Sequence, residues 1–248
     1  MIIYKSSGEI EKMRRSSKIV AETLQYLIRE IKAGVKTIEL DKMAEDYVQG
    51  KGAEPAFKGY RGFPNTICTS INEEVVHGIP SKRELKEGDI ISIDLGVFYD
   101  GYYGDAAVTI GVEKISQQAK KLLEITEKAL YLGIEKAKEG NYLSDISHTI
   151  QTVAENNSFS VVKAFVGHGI GAKLHEAPQI PNFGPPGHGP KLKEGMVLAI
   201  EPMVNMGGSS VDVLEDNWTV VTSDRKLSAH FEHTIAITKN GSEILTRV

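Results

Sequence analysis

The sequence is poor in cysteine, with Cys68 alone among 248 residues. A single cysteine cannot form an intrachain disulfide, and sparse cysteine is typical of proteins that work in a reducing compartment. The N-terminal segment has no continuous apolar stretch of the kind that a secretory signal requires, and no run of about 18 apolar residues occurs anywhere. These shortages exclude a disulfide-rich secreted domain and predict a cytoplasmic protein that does not span a membrane.

Positive charge is also scarce, because 29 Lys and Arg residues face 33 Asp and Glu residues and the formal net charge is −4. A protein that binds nucleic acid through a basic surface would carry a high pI and clustered Lys and Arg. With 41% hydrophobic and 25% charged residues, the chain has an average globular composition and enough length for a sizeable core. We therefore expect one globular domain without sequence-specific nucleic-acid binding.

Two segments of the chain share one pattern: residues 85–94 (LKEGDIISID) and residues 192–201 (LKEGMVLAIE). Each is a polar turn that ends in Gly, followed by a short apolar run whose last residue is a carboxylate, Asp94 or Glu201. A charge at the inner end of a buried strand is costly unless a cation meets it. The pattern therefore predicts that a metal ion lies beside these two residues.

The repeat extends beyond that pair of segments. A His-Gly-Ile triplet precedes each copy, at His77 and at His168, and a second acid opens an alternating run after each copy, at Asp105 and at Glu232. We interpret the chain as a single catalytic domain with an internal duplication, in which the halves are residues 1–112 and 113–248. Such halves would face each other across a pseudo-twofold axis, with four acids converging between them.

Apolar residues recur at helical spacing in four segments. Ser6 and Glu9 form an S-x-x-E capping box before the first helix, which Gly34 is expected to close. Thr37 is expected to cap the second helix. The predicted helices are the segment between Ser6 and Gly34 and residues 38–49, 117–138 and 143–156.

Strand patterns lie between and after these helices. Residues 89–111 predict a β-hairpin in which Asp94 and Asp105 lie on adjacent antiparallel strands, within about 5 Å of each other. Turns are expected at His77 and over the Gly-rich residues 166–171. Further strands are predicted near residue 200 and at residues 67–71, 160–166, 211–213, 219–221 and 235–237, with a loop at 177–190. Two helices followed by strands, twice over, indicate an α+β protein with four outer helices covering one curved antiparallel sheet.

Four carboxylates brought within a few ångström would repel each other unless divalent cations were present. Two divalent ions balance four carboxylates, which fits a dinuclear site with bridging carboxylates and an acidified water. One imidazole among several oxygens favours Mn, Fe, Co or Zn over Ca, and the sequence does not choose among them. The predicted metal ligands are Asp94, Asp105, His168, Glu201 and Glu232.

Seven motifs occur in order along nearly the whole chain, and together they resemble the type I methionine aminopeptidases in their minimal bacterial-type form. They are VVHGIP from residue 75, SIDLG from 92, GDAA from 104, GHGIG from 167, LHEAP from 174, AIEPM from 199 and FEHT from 231. The resemblance implies the pita-bread fold and removal of the N-terminal initiator methionine from nascent proteins whose second residue is small. It also implies that the nucleophile is a hydroxide activated by two metal ions.

The resemblance assigns a role to each predicted ligand. Asp94 would chelate one ion, His168 and Glu201 would hold the other, and Asp105 and Glu232 would bridge the two. Glu201 would also shuttle a proton between the water and the leaving amine.

Two further histidines, His77 and His175, would face the substrate by the same resemblance. They would hydrogen-bond the scissile amide and stabilise the tetrahedral intermediate. Of the other histidines, we expect His148 and His188 on the surface, whereas His230 and His233, which flank Glu232 and face other ways, could support the ligands.

The loop at residues 52–64 (GAEPAFKGYRGFP) is rich in Gly, Pro and aromatic residues, which predicts a pocket wall rather than a plain connector. A thioether pocket should be narrow, apolar and aromatic, because an unbranched, polarisable side chain packs well against ring edges. Arg61 stands where relatives often carry His, and Leu174 where some carry Phe. By the resemblance, the methionine pocket comprises Tyr60, Phe63, Cys68, Leu174 and Trp218.

Two alternatives to this function remain open. An Xaa-Pro peptidase of the same fold is one, although those relatives usually carry an extra N-terminal domain for which this chain is too short. A binding protein that has kept the fold and lost the metals is the other, and it should lack one or more of the five ligands. For the leading hypothesis, the expected partners are nascent polypeptide N-termini and, transiently, the ribosome, with the protein acting as a monomer.

Overall fold

Four α-helices and fifteen strands make up the computed structural model, which describes residues 1–247. In this range no helix combines the length and the apolar composition that crossing a bilayer requires. The helices are α1 (Ser7–Glu30), α2 (Thr37–Gly50), α3 (Gln117–Lys136) and α4 (Leu143–Glu155).

The start of α1 is the predicted capping box, because the Ser6 hydroxyl accepts from the Glu9 backbone and the Glu9 carboxylate accepts from the Ser6 backbone. Two predictions about helix ends are wrong. The helix α1 ends at Glu30, before Gly34, since Ile31 is already extended. Thr37 lies inside α2 rather than at its cap, because its hydroxyl exchanges hydrogen bonds with the Ser81 backbone at 3.1 and 2.8 Å.

The strands are short apart from one long hairpin. In chain order they are β1 (Glu54–Pro55), β2 (Cys68–Ile71), β3 (Glu74–Val76), β4 (Ile90–Tyr99), β5 (Tyr102–Gly111), β6 (Ser160–Val161), β7 (Gly167–Gly169), β8 (Glu176–Ile180), β9 (Val197–Ile200), β10 (Met203–Asn205), β11 (Val211–Val213), β12 (Val220–Thr222), β13 (Ser228–His230), β14 (Glu232–Thr238) and β15 (Gly241–Ile244). The strands β4 and β5 are the predicted hairpin.

Nine strands form one antiparallel sheet in the order β1-β4-β5-β14-β9-β7-β8, with β2 also on β4 and β15 also on β14. Two three-stranded sheets, β13-β10-β6 and β11-β12-β3, accompany it and were not predicted. The helices α1 and α2 bury Leu24 and Leu40 in the core that contains Ile93 of β4, whereas α3 and α4 bury Leu130 and Ile150 in the core that contains residues of β9 and β14. The α+β prediction, with four outer helices on a curved antiparallel sheet, is confirmed.

Each helix pair is tied to its following LKEG segment in the same way. The backbone N–H of Gly34, between α1 and α2, donates to the carbonyl of Leu85 at 2.8 Å. The backbone N–H of Gly140, between α3 and α4, donates to the carbonyl of Leu192 at 3.0 Å. The two copies of the repeated sequence therefore occupy matching places beside their helices.

Two threonine hydroxyls bond to backbone where β5 meets β14 and where it meets His230, which ends β13 two residues before β14 begins. Thr234 accepts from the Asp105 N–H at 3.1 Å and donates to the Asp105 carbonyl at 2.7 Å. Thr109 accepts from the His230 N–H at 2.9 Å and donates to the His230 carbonyl at 2.7 Å. We call these four bonds the hydroxyl bridges.

The predictions for residues 160–180 differ from the structure in three places. The strand predicted at 160–166 is limited to β6, the turn predicted at 166–171 contains strand β7, and the loop predicted from residue 177 begins inside strand β8. A Cβ on Gly167 would lie 2.5 Å from the Ala199 carbonyl oxygen, and one on Gly169 would lie 2.3 Å from that of Ala177. These glycines permit close approach of neighbouring strands, so they do not mark a turn here.

Candidate metal centre

The five predicted ligands lie on or next to adjacent strands in the middle of the nine-stranded sheet. Asp94 is on β4, Asp105 on β5, Glu232 opens β14, Glu201 directly follows β9 and His168 is on β7. Antiparallel pairing of these strands brings together residues that are far apart in sequence.

The register of β4 and β5 differs in one respect from the expectation. Asp94 lies opposite Ala107 and Asp105 lies opposite Gly96, so the two aspartates are diagonal neighbours rather than directly opposed. Their carboxyl groups still influence each other's ionisation, because side chains on one face of a sheet reach diagonal positions.

The geometry and the chemistry of this cluster fit a divalent cation site. Ligand atoms of Asp105, His168 and Glu232 all lie within 4.8 Å of one another. The His168 Nε2 atom is 4.0 Å from Asp105 Oδ2 and 3.7 Å from Glu201 Oε1, which leaves room for a cation about 2.1 Å from each atom of a pair.

Three buried carboxylate oxygens support that fit. Within the described part of the chain, Asp94 Oδ1, Asp105 Oδ1 and Glu232 Oε1 have no hydrogen-bond partner. A buried polar oxygen without a partner is costly, and a cation would satisfy all three. Carboxylate oxygens with one imidazole are ligands for Mn, Fe, Co or Zn.

The His168 ring is oriented as a ligand. Its Nδ1–H donates to the Gly169 carbonyl at 2.9 Å, so Nε2, which faces the carboxylates, is the nitrogen with a free lone pair. Burial lowers the pKa of His168 to about 4, which keeps the imidazole neutral near pH 7. A neutral imidazole is the form that binds metal.

All four carboxyl groups of the cluster resist ionisation. Burial raises the pKa of Asp94 to about 7 and that of Glu201 to about 8. For Asp105 and Glu232, burial and then the neighbouring carboxyls raise the pKa well above its usual range. A bound cation would favour the ionised form of each group and lower these pKa values.

The two His-Gly-Ile triplets, predicted to be equivalent turns, have different backbones. His168 lies on strand β7, whereas His77 follows β3 with a left-handed φ of 60°. The His77 ring packs edge-on against Phe165 and Trp218, with centroids 5.5 and 6.3 Å away. Burial lowers the pKa of His77 to about 4.

His175 lies between Tyr60 and His168. Its Nδ1 is 2.9 Å from the Tyr60 hydroxyl, and its ring centroid is 4.2 Å from that of His168. Desolvation, followed by the neighbouring His168 and Arg61, lowers the pKa of His175 below its ordinary value.

One cavity of about 300 Å³ contains the carboxyl cluster, both of these histidines and all five predicted pocket residues. Phe63 and Trp218 meet edge to face at 5.1 Å, which forms an aromatic wall. Burial, and then the charge of Asp94, raises the pKa of the Cys68 thiol well above its usual range, so the thiol stays neutral as a pocket lining. The lining residues include Tyr60, Phe63, Cys68, Leu174 and Trp218, together with Phe165, which the sequence pattern did not reveal.

His230 faces the cluster, contrary to the expectation that it points elsewhere. Its Nε2 lies 3.6 Å from Glu201 Oε2 and, among the described residues, has no hydrogen-bond partner. His233 instead contacts Tyr131 and Thr246 away from the cluster. The signal was available, because His230 and Glu232 are two residues apart and share a face in extended backbone, whereas His233 does not.

The remaining histidines lie outside the cluster. His148 and His188 are exposed, as predicted, and their Nδ1 atoms bond the carbonyls of Gly184 and Pro186.

The chain is similar to known proteins over its whole length. The model of metallopeptidase family M24 matches residues 11–239. A Bacillus subtilis protein named methionine aminopeptidase 1 is 59% identical over 248 residues, which cover 100% of both chains. The crystal structure of a methionine aminopeptidase from Thermotoga maritima matches with a TM-score of 0.99 and 47% identity, covering 100% of both chains.

More distant structures share the fold with lower identity. A prolidase from Pyrococcus furiosus matches with a TM-score of 0.82 and 26% identity, covering 99% of this chain and 66% of the prolidase. The full-length similarity and the family match agree with the carboxylate and histidine cluster in the cavity. The chain therefore belongs to metallopeptidase family M24, and within that family to the methionine aminopeptidases.

Proposed function

We propose that this protein removes the N-terminal methionine from nascent chains whose second residue is small. The observation that carries the proposal is a cluster of four buried carboxyl groups and one neutral imidazole that shares a cavity with an aromatic pocket. The pocket suits an unbranched thioether side chain, because Phe63 and Trp218 offer ring edges and faces.

The proposed ligand set holds two divalent ions, of Co, Mn, Fe or Zn, which would acidify a water to the nucleophile and polarise the scissile carbonyl. Asp94 would bind one ion, and His168 with Glu201 the other. Asp105 and Glu232 would bind both; one ligand atom of each lies within 4.8 Å of the other and of His168.

Glu201 is proposed to move the proton. Its Oε1 lies 3.7 Å from His168 Nε2 within the cluster, and burial raises the pKa of its carboxyl to about 8 in the metal-free protein. From its place beside the cluster it would take a proton from the water and deliver it to the leaving amine.

His77 and His175 are proposed to stabilise the oxyanion of the tetrahedral intermediate. When the Tyr60 hydroxyl donates to His175 Nδ1, the ring proton lies on Nε2, which can donate to that oxyanion. Burial keeps His77 neutral, so it too acts as a hydrogen-bond donor rather than as a fixed charge.

A comparison of peptides tests the proposal. Manganese-loaded protein should release Met from Met-Ala-Ser, act far more slowly on Met-Leu-Ser and leave Ala-Pro intact. Exclusive cleavage of Ala-Pro would reject the proposal in favour of the prolidase-type alternative. Equilibrium dialysis with Mn or Co is the companion measurement, since failure to bind either ion would favour a metal-free binding protein.

His230 is expected to hold Glu201 in place through its Nε2 atom. Replacing His230 by Leu should lower kcat on Met-Ala-Ser about 10- to 100-fold while metal uptake changes less, because the carboxylate loses its buried polar neighbour. The His230→Gln variant, which keeps a donor, should recover most of the activity. Equal losses of kcat in the two variants would show that packing, not hydrogen bonding, is what His230 provides.

We also propose that the protein acts as a monomer in the cytoplasm on chains that leave the ribosome. The substrate supports this proposal, because a free N-terminal methionine is available only once the nascent chain is exposed. The ribosome contact is proposed to be transient, as the formal net charge of −4 gives no general attraction to RNA.

A further inference from the structure

Lys5 and Glu176 form a buried ion pair on the far side of the segment that carries His175. Lys5 Nζ lies 2.6 Å from Glu176 Oε2, and the two side chains are only 2% and 4% exposed. Lys5 lies just before α1 and Glu176 opens β8. Desolvation of two charges offsets most of their attraction, so a buried pair of this kind is poor evidence for stability alone.

Both members of the pair are held tightly. The Lys5 N–H donates to the Gly195 carbonyl at 2.7 Å, and Glu176 Oε1 accepts from the Lys173 N–H at 3.1 Å. A Cβ on Gly171 would lie 2.5 Å from Lys5 Cε and 2.7 Å from Glu176 Oε1. A side chain at residue 171 would therefore force the ammonium and the carboxylate to shift.

The pair is one residue away from the site. His175 lies in a bend directly before Glu176, the first residue of β8, and the two side chains make separate contacts. The His175 ring faces Tyr60 and His168, whereas the Glu176 carboxylate faces Lys5. The ion pair thus fixes the backbone next to His175 through Glu176, while the Tyr60 hydroxyl holds the His175 ring through Nδ1.

We infer that Lys5 is a positioning residue, which places His175 for the reaction by anchoring Glu176. The inference rests on the proposed function, since His175 is there given contact with the oxyanion. It gives the segment before α1, which contains no cavity-lining residue among those described, a role in positioning His175.

Loss of the ammonium would leave the Glu176 carboxylate buried without a counter-charge. The carboxylate would then turn towards water and move the backbone of residues 173–176, which displaces His175. A misplacement of about 1 Å can cost about 100-fold in rate. The metal ligands lie on or directly after β4, β5, β7, β9 and β14, outside residues 173–176, so we expect the metal still to bind.

The test uses the full chain with Lys5→Met and Glu176→Gln, and with Lys51→Met as a matched control. Lys51 also pairs with a carboxylate, Glu22 at 2.8 Å, but on the surface with 41% of its side chain exposed. We expect kcat on Met-Ala-Ser to fall about 10- to 100-fold in the first two variants, with KM within about twofold and manganese uptake unchanged. Lys51→Met should match the wild type in all three quantities.

Nitrogen NMR of the histidine rings measures the environment of the His175 ring independently of catalysis. The His175 resonances, which report the bond to Tyr60, should shift in Lys5→Met and stay unchanged in Lys51→Met. If Lys5→Met does not fold, Glu176→Gln decides, because it is isosteric and still accepts from the Lys173 N–H.

Wild-type kcat per folded molecule in the variants, with unshifted His175 resonances, would overturn the inference. A wild-type protein that does not cleave Met-Ala-Ser would instead reject the proposed function. In that case the His175 resonances alone would show whether the ion pair places the ring.

Discussion

The Glu232→Gln variant is expected to lower kcat on Met-Ala-Ser by about three orders of magnitude, which corresponds to roughly 4 kcal/mol of activation free energy. Glu232 is buried, and its carboxylate lies within 4.8 Å of ligand atoms of both Asp105 and His168. Glutamine has the same shape, but it is neutral and has only one oxygen that can bind a cation. The variant would therefore hold the two proposed ions with three carboxylates instead of four.

The measurement combines kcat with manganese content after equilibrium dialysis. Glu243→Gln is the matched control, because Glu243 lies on the neighbouring strand β15, pairs with Arg14 at 2.9 Å and has a side chain 42% exposed. That variant should keep full activity and full metal content. If Glu232→Gln retains two ions per chain and a kcat within tenfold of the wild type, Glu232 does not bridge the proposed ions.

The metal-free protein is expected to lose at least about 3 kcal/mol of unfolding free energy between pH 6.5 and pH 9. The folded carboxyls of Asp94 and Glu201 have pKa values of about 7 and about 8, whereas unfolded carboxyls titrate near 4. Over this range the folded state holds protons that the unfolded state has already released. Its stability therefore falls as the pH rises through the two folded pKa values.

The pH range starts at 6.5 because, below it, buried histidines make the free energy of unfolding rise with pH, whereas the carboxyls make it fall. His77 and His168 have folded pKa values of about 4, so their contribution is lost as the pH falls from about 6.5 towards 4. Urea unfolding of chelator-treated protein at several pH values measures the effect. Saturating manganese should abolish the loss, because metal binding favours the ionised carboxylates. A metal-free stability that stays flat or rises above pH 6.5 would contradict the raised pKa values.

Much of the fold could be predicted from the sequence, because the patterns that indicate it involve residues close together in the chain. The capping box at Ser6 and Glu9, the helical periodicities and the hairpin of β4 and β5 each depend on neighbouring residues. Asp94 and Glu201 stood out for a similar reason, since a carboxylate at the end of an apolar strand calls for a cation.

The remaining features depend on contacts between distant segments. Gly167 and Gly169 resemble turn residues in the sequence, and only the closeness of β8 and β9 explains them. Strands were predicted at residues 211–213 and 219–221, close to β11 and β12, but their pairing into a separate sheet with β3 depends on residues far apart in sequence. The partner of Lys5 lies 171 residues away, so no local pattern could have revealed the ion pair.

We propose that residues 1–112 and 113–248 are two copies of one unit within a single catalytic domain. The matched bonds from Gly34 to Leu85 and from Gly140 to Leu192 support this proposal. Asp94 and Asp105 come from one unit, and the other predicted ligands come from the second. Neither unit alone would carry the complete ligand set.

The hydroxyl bridges restrict how β5 aligns with β14 and with His230, two residues before β14. A slip of one residue would turn the apolar side chains of a strand to the wrong face, but a slip of two residues would preserve the apolar pattern. Thr109 and Thr234 disfavour the two-residue slip, because each hydroxyl bonds to a backbone N–H and carbonyl only in the native register. The same slip would separate Asp105 from Glu232. Metal binding therefore requires the native register of β5 and β14, and a measurement of bound metal indicates whether that register has formed.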